Sequence, residues 1–146
     1  MTISKGGEAW MFSLVNVNWV EVVAAVVASM VIGYAWYSNL LFGKEWQALV
    51  GKSEADLKAN ASTAYGGTIV LGLITATIMS LIIEKTGAAT YSDGAMVGAV
   101  VWLGFVATSA GVTTFFEGSR KKLWLINTGY QLVNYLVMGA IIAGWA

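Results

Sequence analysis

Leu123-Trp124-Leu125-Ile126-Asn127-Thr128-Gly129-Tyr130-Gln131-Leu132-Val133-Asn134-Tyr135-Leu136-Val137-Met138-Gly139-Ala140-Ile141-Ile142-Ala143-Gly144-Trp145 contains no Lys, Arg, Asp or Glu. A helix rises about 1.5 Å per residue, so this stretch reaches about 34 Å, enough to cross a hydrocarbon core of about 30 Å. Hydrocarbon offers no water to pair backbone N–H and C=O groups, so helix is the expected form. Asn127, Gln131 and Asn134 then fall at i, i+4 and i+7 and share one stripe, which Trp124 and Met138 extend at either end. Amide side chains in hydrocarbon need partners, so the stripe should face protein.

Three more apolar blocks precede it, at about residues 20–37, 64–83 and 94–116, and none contains Lys or Arg. The chain of 146 residues is 58% hydrophobic and 11% charged, against about 25% charged in a soluble domain. Its mean hydropathy is +0.70. The expected fold is therefore an all-α membrane protein, an up-and-down bundle of four transmembrane helices forming a single domain over residues 1–146. The first block is read as a retained span. Its preceding region holds only Lys5, balanced by Glu8, and its end runs into Trp36-Tyr37 instead of a small-residue cleavage site.

The connections carry their own signals. In the first loop Leu41, Phe42, Trp46, Leu49 and Val50 can share a helical face, with Lys44, Glu45 and Gln47 off it. That predicts a short amphipathic segment in the headgroup layer. Ser53-Glu54-Ala55-Asp56 resembles a helix N-cap followed by first-turn carboxylates, so the second span should begin well before the membrane. The second loop contains Gly87, and Glu117 to Lys122 is a tight hairpin. Lys44, Lys52, Lys58, Arg120, Lys121 and Lys122 fall in the first and third loops, and Lys5 and Lys85 on the other side. The excess of positive charge places the first and third loops in the cytoplasm and both termini outside. Trp10, Trp19 and Trp145 then lie at the outer boundary and Trp36, Trp46 and Trp124 at the inner one, with Trp102 inside the third span.

Much chemistry is excluded. Without His or Cys the chain has no disulfide, no His- or thiolate-held metal or haem, and no imidazole acid–base group. A formal net charge of zero gives no basic field for nucleic acid. No nucleophile-plus-base set, phosphate loop or dinucleotide fingerprint is present, so the expectation is a non-enzymatic protein without a cofactor. Glu21 is the one carboxylate inside a span and hence the default ionisable candidate, yet Asn18 three residues earlier gives a capping-box spacing. The span hydroxyls can bond their own i−4 carbonyls. Gly94-x-x-x-Gly98, with looser relatives at Ala107/Gly111 and Ser29/Gly33, permits close helix approach within one bundle or between chains.

The segment Trp36-Tyr37-Ser38-Asn39-Leu40-Leu41-Phe42-Gly43-Lys44-Glu45-Trp46 is similar to the hallmark segment of the DUF1761 family of small bacterial membrane proteins. Lys122-Leu123-Trp124-Leu125-Ile126-Asn127-Thr128-Gly129-Tyr130 and Trp102-Leu103-Gly104-Phe105 resemble the same family, and the likeness runs from about Asn18 over nearly the whole chain. It implies four spans in a bacterial cytoplasmic membrane and implies no activity. Members often carry His where this chain has Gln131, so an ionisable group is missing at that position.

Two functional expectations follow. The leading one is a membrane component that works by packing, as a homo-oligomer or as an accessory subunit beside other membrane proteins, with the bilayer as its medium. The other is a small transporter or channel lined by Asn127, Gln131 and Asn134. Trp36, Tyr37, Phe42, Lys44, Trp46 and Trp124 share the inner interface, where rings beside cations can anchor the protein or receive a lipid or quinone head.

Overall fold

A computed structural model describes residues 12–145. Among them a 3₁₀ turn at Leu14–Asn16 leads into seven α-helices: α1 Trp19–Trp36, α2 Gly43–Val50, α3 Glu54–Ala59, α4 Ala61–Thr86, α5 Tyr91–Val101, α6 Thr108–Glu117 and α7 Lys121–Gly144. Six residues of π-helix, Trp102–Ala107, join α5 to α6, so Tyr91–Glu117 is one continuous rod. Four helices are long and apolar enough to cross a membrane: α1, α4, the α5–α6 rod and α7. There is no strand among the described residues. Trp10, Lys5 and Glu8, to which the sequence assigns a side of the membrane, lie outside the described residues.

The helix ends follow local chemistry. Asn18 caps α1, its side chain accepting from the Val20 N–H. Glu21 does not complete the capping box that the spacing suggests. It lies in the first turn, but its carboxylate turns to α4 and accepts from the Ser80 hydroxyl at 3.3 Å. A cross-helix donor is available there, and it takes the carboxylate away from the local N–H. Ser53 and Asp56 do form a reciprocal capping box at α3. That helix does not run on into α4, because Asn60 (φ −107°, ψ 6°) breaks the pair apart. Gly87 (φ +71°) and Gly118 (φ +64°) end α4 and α6 in the left-handed conformation that lacks a Cβ penalty in glycine.

The tightest contact lies between α5 and α7. A Cβ on Gly94 would strike the Gly139 carbonyl, and one on Gly98 would lie 2.7 Å from the Tyr135 carbonyl carbon. Tyr91 meets Gly144 at the far end of the same seam. The two helices therefore run antiparallel with their backbones in contact. The Gly94-x-x-x-Gly98 motif is spent inside this chain, against Gly139 on α7. Further along the rod, Ala107 is buried and Gly111 lies beside Trp124. The residues turned inward thus step 98, 102, 107, 111: the step across the π segment is five residues, where an α-helix would take three or four. One surplus residue is absorbed there, and both small-residue patches keep facing α7.

The core gathers at one end of the bundle. Val22, Ala25 and Val26 of α1, Ala76 and Met79 of α4, and Met138 and Ile142 of α7 are buried together. Asn16 donates to Glu84 at the same end. At the other end α4 leaves the bundle. Every residue from 62 to 71 is exposed, whereas Ser80, Leu81 and Ile83 are buried. Outward-facing side chains elsewhere are large and apolar, among them Val27, Val31, Phe105 and Phe116. Apolar surface on this scale is far beyond what a water-exposed monomer presents, as expected of helices meant for lipid.

Candidate functional site

Where α4 splays from α1, the bundle opens into a cleft of about 720 Å³. α1 and the Tyr37 that ends it line one wall, with Ser29 and Gly33, and α4 lines the other through Ala61, Ala64 and Thr68. α2 and α3 cover its mouth with Trp46, Gln47, Glu54 and Lys58, and Tyr130 of α7 closes the back. The side is open: Tyr34 and Tyr65 line the cleft while 74% and 52% exposed.

A connected set of side chains holds the back wall. The Tyr37 hydroxyl donates to Asn127 Oδ1 at 3.0 Å. The Tyr37 ring lies edge-on to Trp46 and to Tyr130, with centroids 5.4 and 5.3 Å away, the geometry that aromatic quadrupoles prefer. Glu54 accepts from the Asn39 amide at 3.5 Å, so a carboxylate edges the same opening. Lys58 follows Glu54 at i+4, one helical turn on.

Behind this wall α1 and the α5–α6 rod are bolted to α7 by indoles. Trp36 Nε1 donates to the Ile126 carbonyl at 3.0 Å, and Trp102 Nε1 donates to the Thr128 carbonyl at 2.9 Å. Phe42 packs on Trp36 at 4.7 Å, and Gly129 leaves room for the Trp36 ring. Lys122 pairs with Glu45 at 3.1 Å and ties α2 to the start of α7. Both are more than half exposed, so the pair contributes about 0–1 kcal/mol.

The residues singled out from sequence thus separate into groups. Tyr37 and Trp46 line the cleft, and Asn127 positions Tyr37 from behind. Trp36 faces α7 with Phe42 packed on its ring, and Trp124 lies over Gly111 of α6. Lys44 is exposed and makes no hydrogen bond or ion pair among the described residues. Gln131 is half-buried and makes no hydrogen bond among them. Asn134 is buried with Oδ1 unpartnered, and Trp124 Nε1 is likewise buried and unpartnered. Glu21 lies at the closed end, far along α1 from the cleft. The hydroxyls of Ser29, Thr68, Thr75, Thr77, Thr108, Thr113, Thr114 and Thr128 all bond backbone carbonyls four residues back. They give the fourth-helix amides no partners and make no polar lane across the bundle.

Sequence reasoning left out Tyr130, Asn39, Glu54 and Lys58 as site residues. Asn39 and Tyr130 do fall in the two family-like segments, and Glu54 and Lys58 are signalled only by their i, i+4 spacing beside an aromatic-rich loop.

Four helices of membrane-spanning length and apolarity, splayed at one end around an aromatic and charged cleft, define a small all-helical chain suited to a membrane. The chain matches the family described as "Protein of unknown function (DUF1761)" over residues 20–143, and it belongs to that family. No curated protein and no solved structure matches it.

Proposed function

We propose that this chain is a non-catalytic integral membrane protein that holds an amphiphilic ligand in the cleft between α1 and α4. The observation that carries the reading is the composition of that cleft. Its mouth is polar, charged and aromatic, its depth is small and apolar, and its side is open along helices suited to lipid. A pocket of several hundred Å³ with a few convergent polar groups is the usual form of a small-molecule site. The excess of Lys and Arg in the first and third loops favours the cytoplasmic leaflet of a bacterial membrane for the cleft mouth, with both termini outside. Nothing in the cleft pairs a nucleophile with a base, which is why the reading is binding and not turnover.

The test is native mass measurement of the full chain after extraction in mild detergent. Adducts of lipid mass are expected on the parent and are expected to disappear in Ala64→Trp, which fills the cleft. A parent without adducts, or adducts indifferent to Ala64→Trp, overturns the reading.

A second reading, assembly with another membrane chain or with a copy of itself, is favoured by the exposed first half of α4. At Gly66 and Gly67 an added Cβ would meet open space, so a second helix could approach closely there. Disulfide trapping of a Gly67→Cys variant in native membranes is expected to give a dimer or a mixed adduct under that reading, and a lone monomer counts against it.

A further inference from the structure

The cleft has a neighbour that the binding reading does not use. Directly below it along the same α1–α4 seam runs a second hollow of about 410 Å³, lined by Val23, Val27, Val31, Ile69 and Leu73 with no polar surface. Met30 lines both hollows, so they adjoin along the seam and together lay out a path. The path runs from charged α3 at the mouth, past the Tyr37–Trp46–Tyr130 rings, and down α1 towards the middle of its eighteen residues. Its polarity falls in one direction only. A soluble metabolite would leave the lower groove empty of suitable partners. A hydrocarbon without a polar end would leave Glu54, Lys58 and Gln47 unused.

The order of groups at the mouth narrows the headgroup. Glu54 supplies a carboxylate to the same cleft that the Tyr37, Trp46 and Tyr130 rings line, and aromatic faces together with an anion favour a substituted ammonium. Lys58, one turn further, supplies a point charge suited to a phosphate. A zwitterion with phosphate and amine a few atoms apart meets both charges, whereas an anionic headgroup would place negative charge against Glu54. Resting on the amphiphile reading, we infer that the occupant is a zwitterionic, amine-bearing phospholipid, its headgroup among Tyr37, Trp46, Glu54 and Lys58 and one acyl chain in the α1–α4 groove.

The test compares three probes on the full-length protein in mild detergent: phosphatidylethanolamine, phosphatidylglycerol with the same acyl chains, and water-soluble phosphoethanolamine. Retention of each is read by native mass measurement. The parent is expected to hold the amine lipid about tenfold better than the glycerol lipid, the scale of one desolvated cation–π and charge contact. Glu54→Gln should bring the two lipids near parity. Val27→Trp and, separately, Ile69→Trp should weaken both lipids and leave phosphoethanolamine unchanged, because both positions line the groove and are more than 40% exposed, away from the core. Unchanged far-UV circular dichroism certifies each variant as folded, and a variant that fails this leaves its partner to decide. Equal retention of both lipids, indifferent to Glu54→Gln, overturns the headgroup assignment while the adducts lost in Ala64→Trp still stand. Phosphoethanolamine binding as tightly as the lipid, with both groove variants silent, overturns the tail assignment. Absence of any adduct on the parent is the separate failure of the binding reading itself.

Discussion

Replacing Gly98 with Ala is expected to part α5 from α7. The new methyl would lie 2.7 Å from the Tyr135 carbonyl carbon and nearer still to its oxygen. A backbone carbonyl cannot rotate aside, so the helices must separate by about 1 Å to restore ordinary contact. A gap of 0.5–1 Å forfeits roughly a quarter to a half of each atom pair's 0.1–0.2 kcal/mol. Over some tens of pairs along this seam the loss is about 1–3 kcal/mol, the range usual for overpacked sites. Ala favours a helix over Gly by about 1 kcal/mol, which offsets part of it. The net expectation is a loss of about 0–2 kcal/mol against the parent, up to a thirtyfold fall in the folded-to-unfolded ratio, and of about 1–3 kcal/mol against a variant that gains only the helix propensity. Gly66→Ala is the internal control, because a Cβ there meets nothing within 4 Å and only the helix-favouring term remains. Both variants are compared by far-UV circular dichroism during denaturant titration in one mild detergent. If Gly98→Ala unfolds at the same midpoint as Gly66→Ala, or later, the backbone contact is not what holds this seam. A fall in particle mass with an unchanged midpoint would instead make the motif an interface between chains.

Trp36→Phe keeps the ring against Phe42 but removes the donor to the Ile126 carbonyl, and should lower stability by about 0.5–1.5 kcal/mol in the same titration. Trp102→Phe should cost a similar amount, through the Thr128 carbonyl. Lys122→Ala breaks an exposed pair, so its effect should stay within about 1 kcal/mol and shrink further as salt is raised. The Asp56 carboxyl is held below its ordinary 3.8 by the Ser53 backbone N–H and hydroxyl. Its folded value being depressed, the cap is fully present above pH 3.8 and is lost as pH falls through the lower folded value. Amide exchange at α3 should accelerate in that acid window, and Asp56→Asn should bring the faster exchange to neutral pH.

The four long helices were legible because length and apolarity decide them locally, and α2 because Trp46, Leu49 and Val50 recur at helical spacing. Ser53 announced its cap for the same local reason. Gly94-x-x-x-Gly98 announced a close approach but not its partner, since Gly139 and Ala143, more than forty positions on, are one of several looser small-residue pairs and spacing alone does not choose among them. Trp36 reads as an interfacial anchor and Trp102 as a lone indole inside a span, and nothing in their neighbours specified that both would seek carbonyls of α7. Glu21 misled in part, because a capping spacing is blind to Ser80 on another helix. The cleft was hidden most completely. Its lining comes from five helices, and it exists because the first half of α4 diverges, a tertiary event without a residue code.

The π segment at Trp102–Ala107 bears on how this rod can differ between relatives. It acts as a phase adjuster, storing one extra position without changing which sides of the rod the flanking glycines occupy. An alignment gap of one residue between Leu103 and Val106 would simply turn the local winding into ordinary α-helix, with Gly98 and Gly111 still looking towards α7. The same gap placed at Gly98 would swing everything beyond it by about 100° around the axis. Indels within this rod should therefore be judged by angular bookkeeping and not by their length alone.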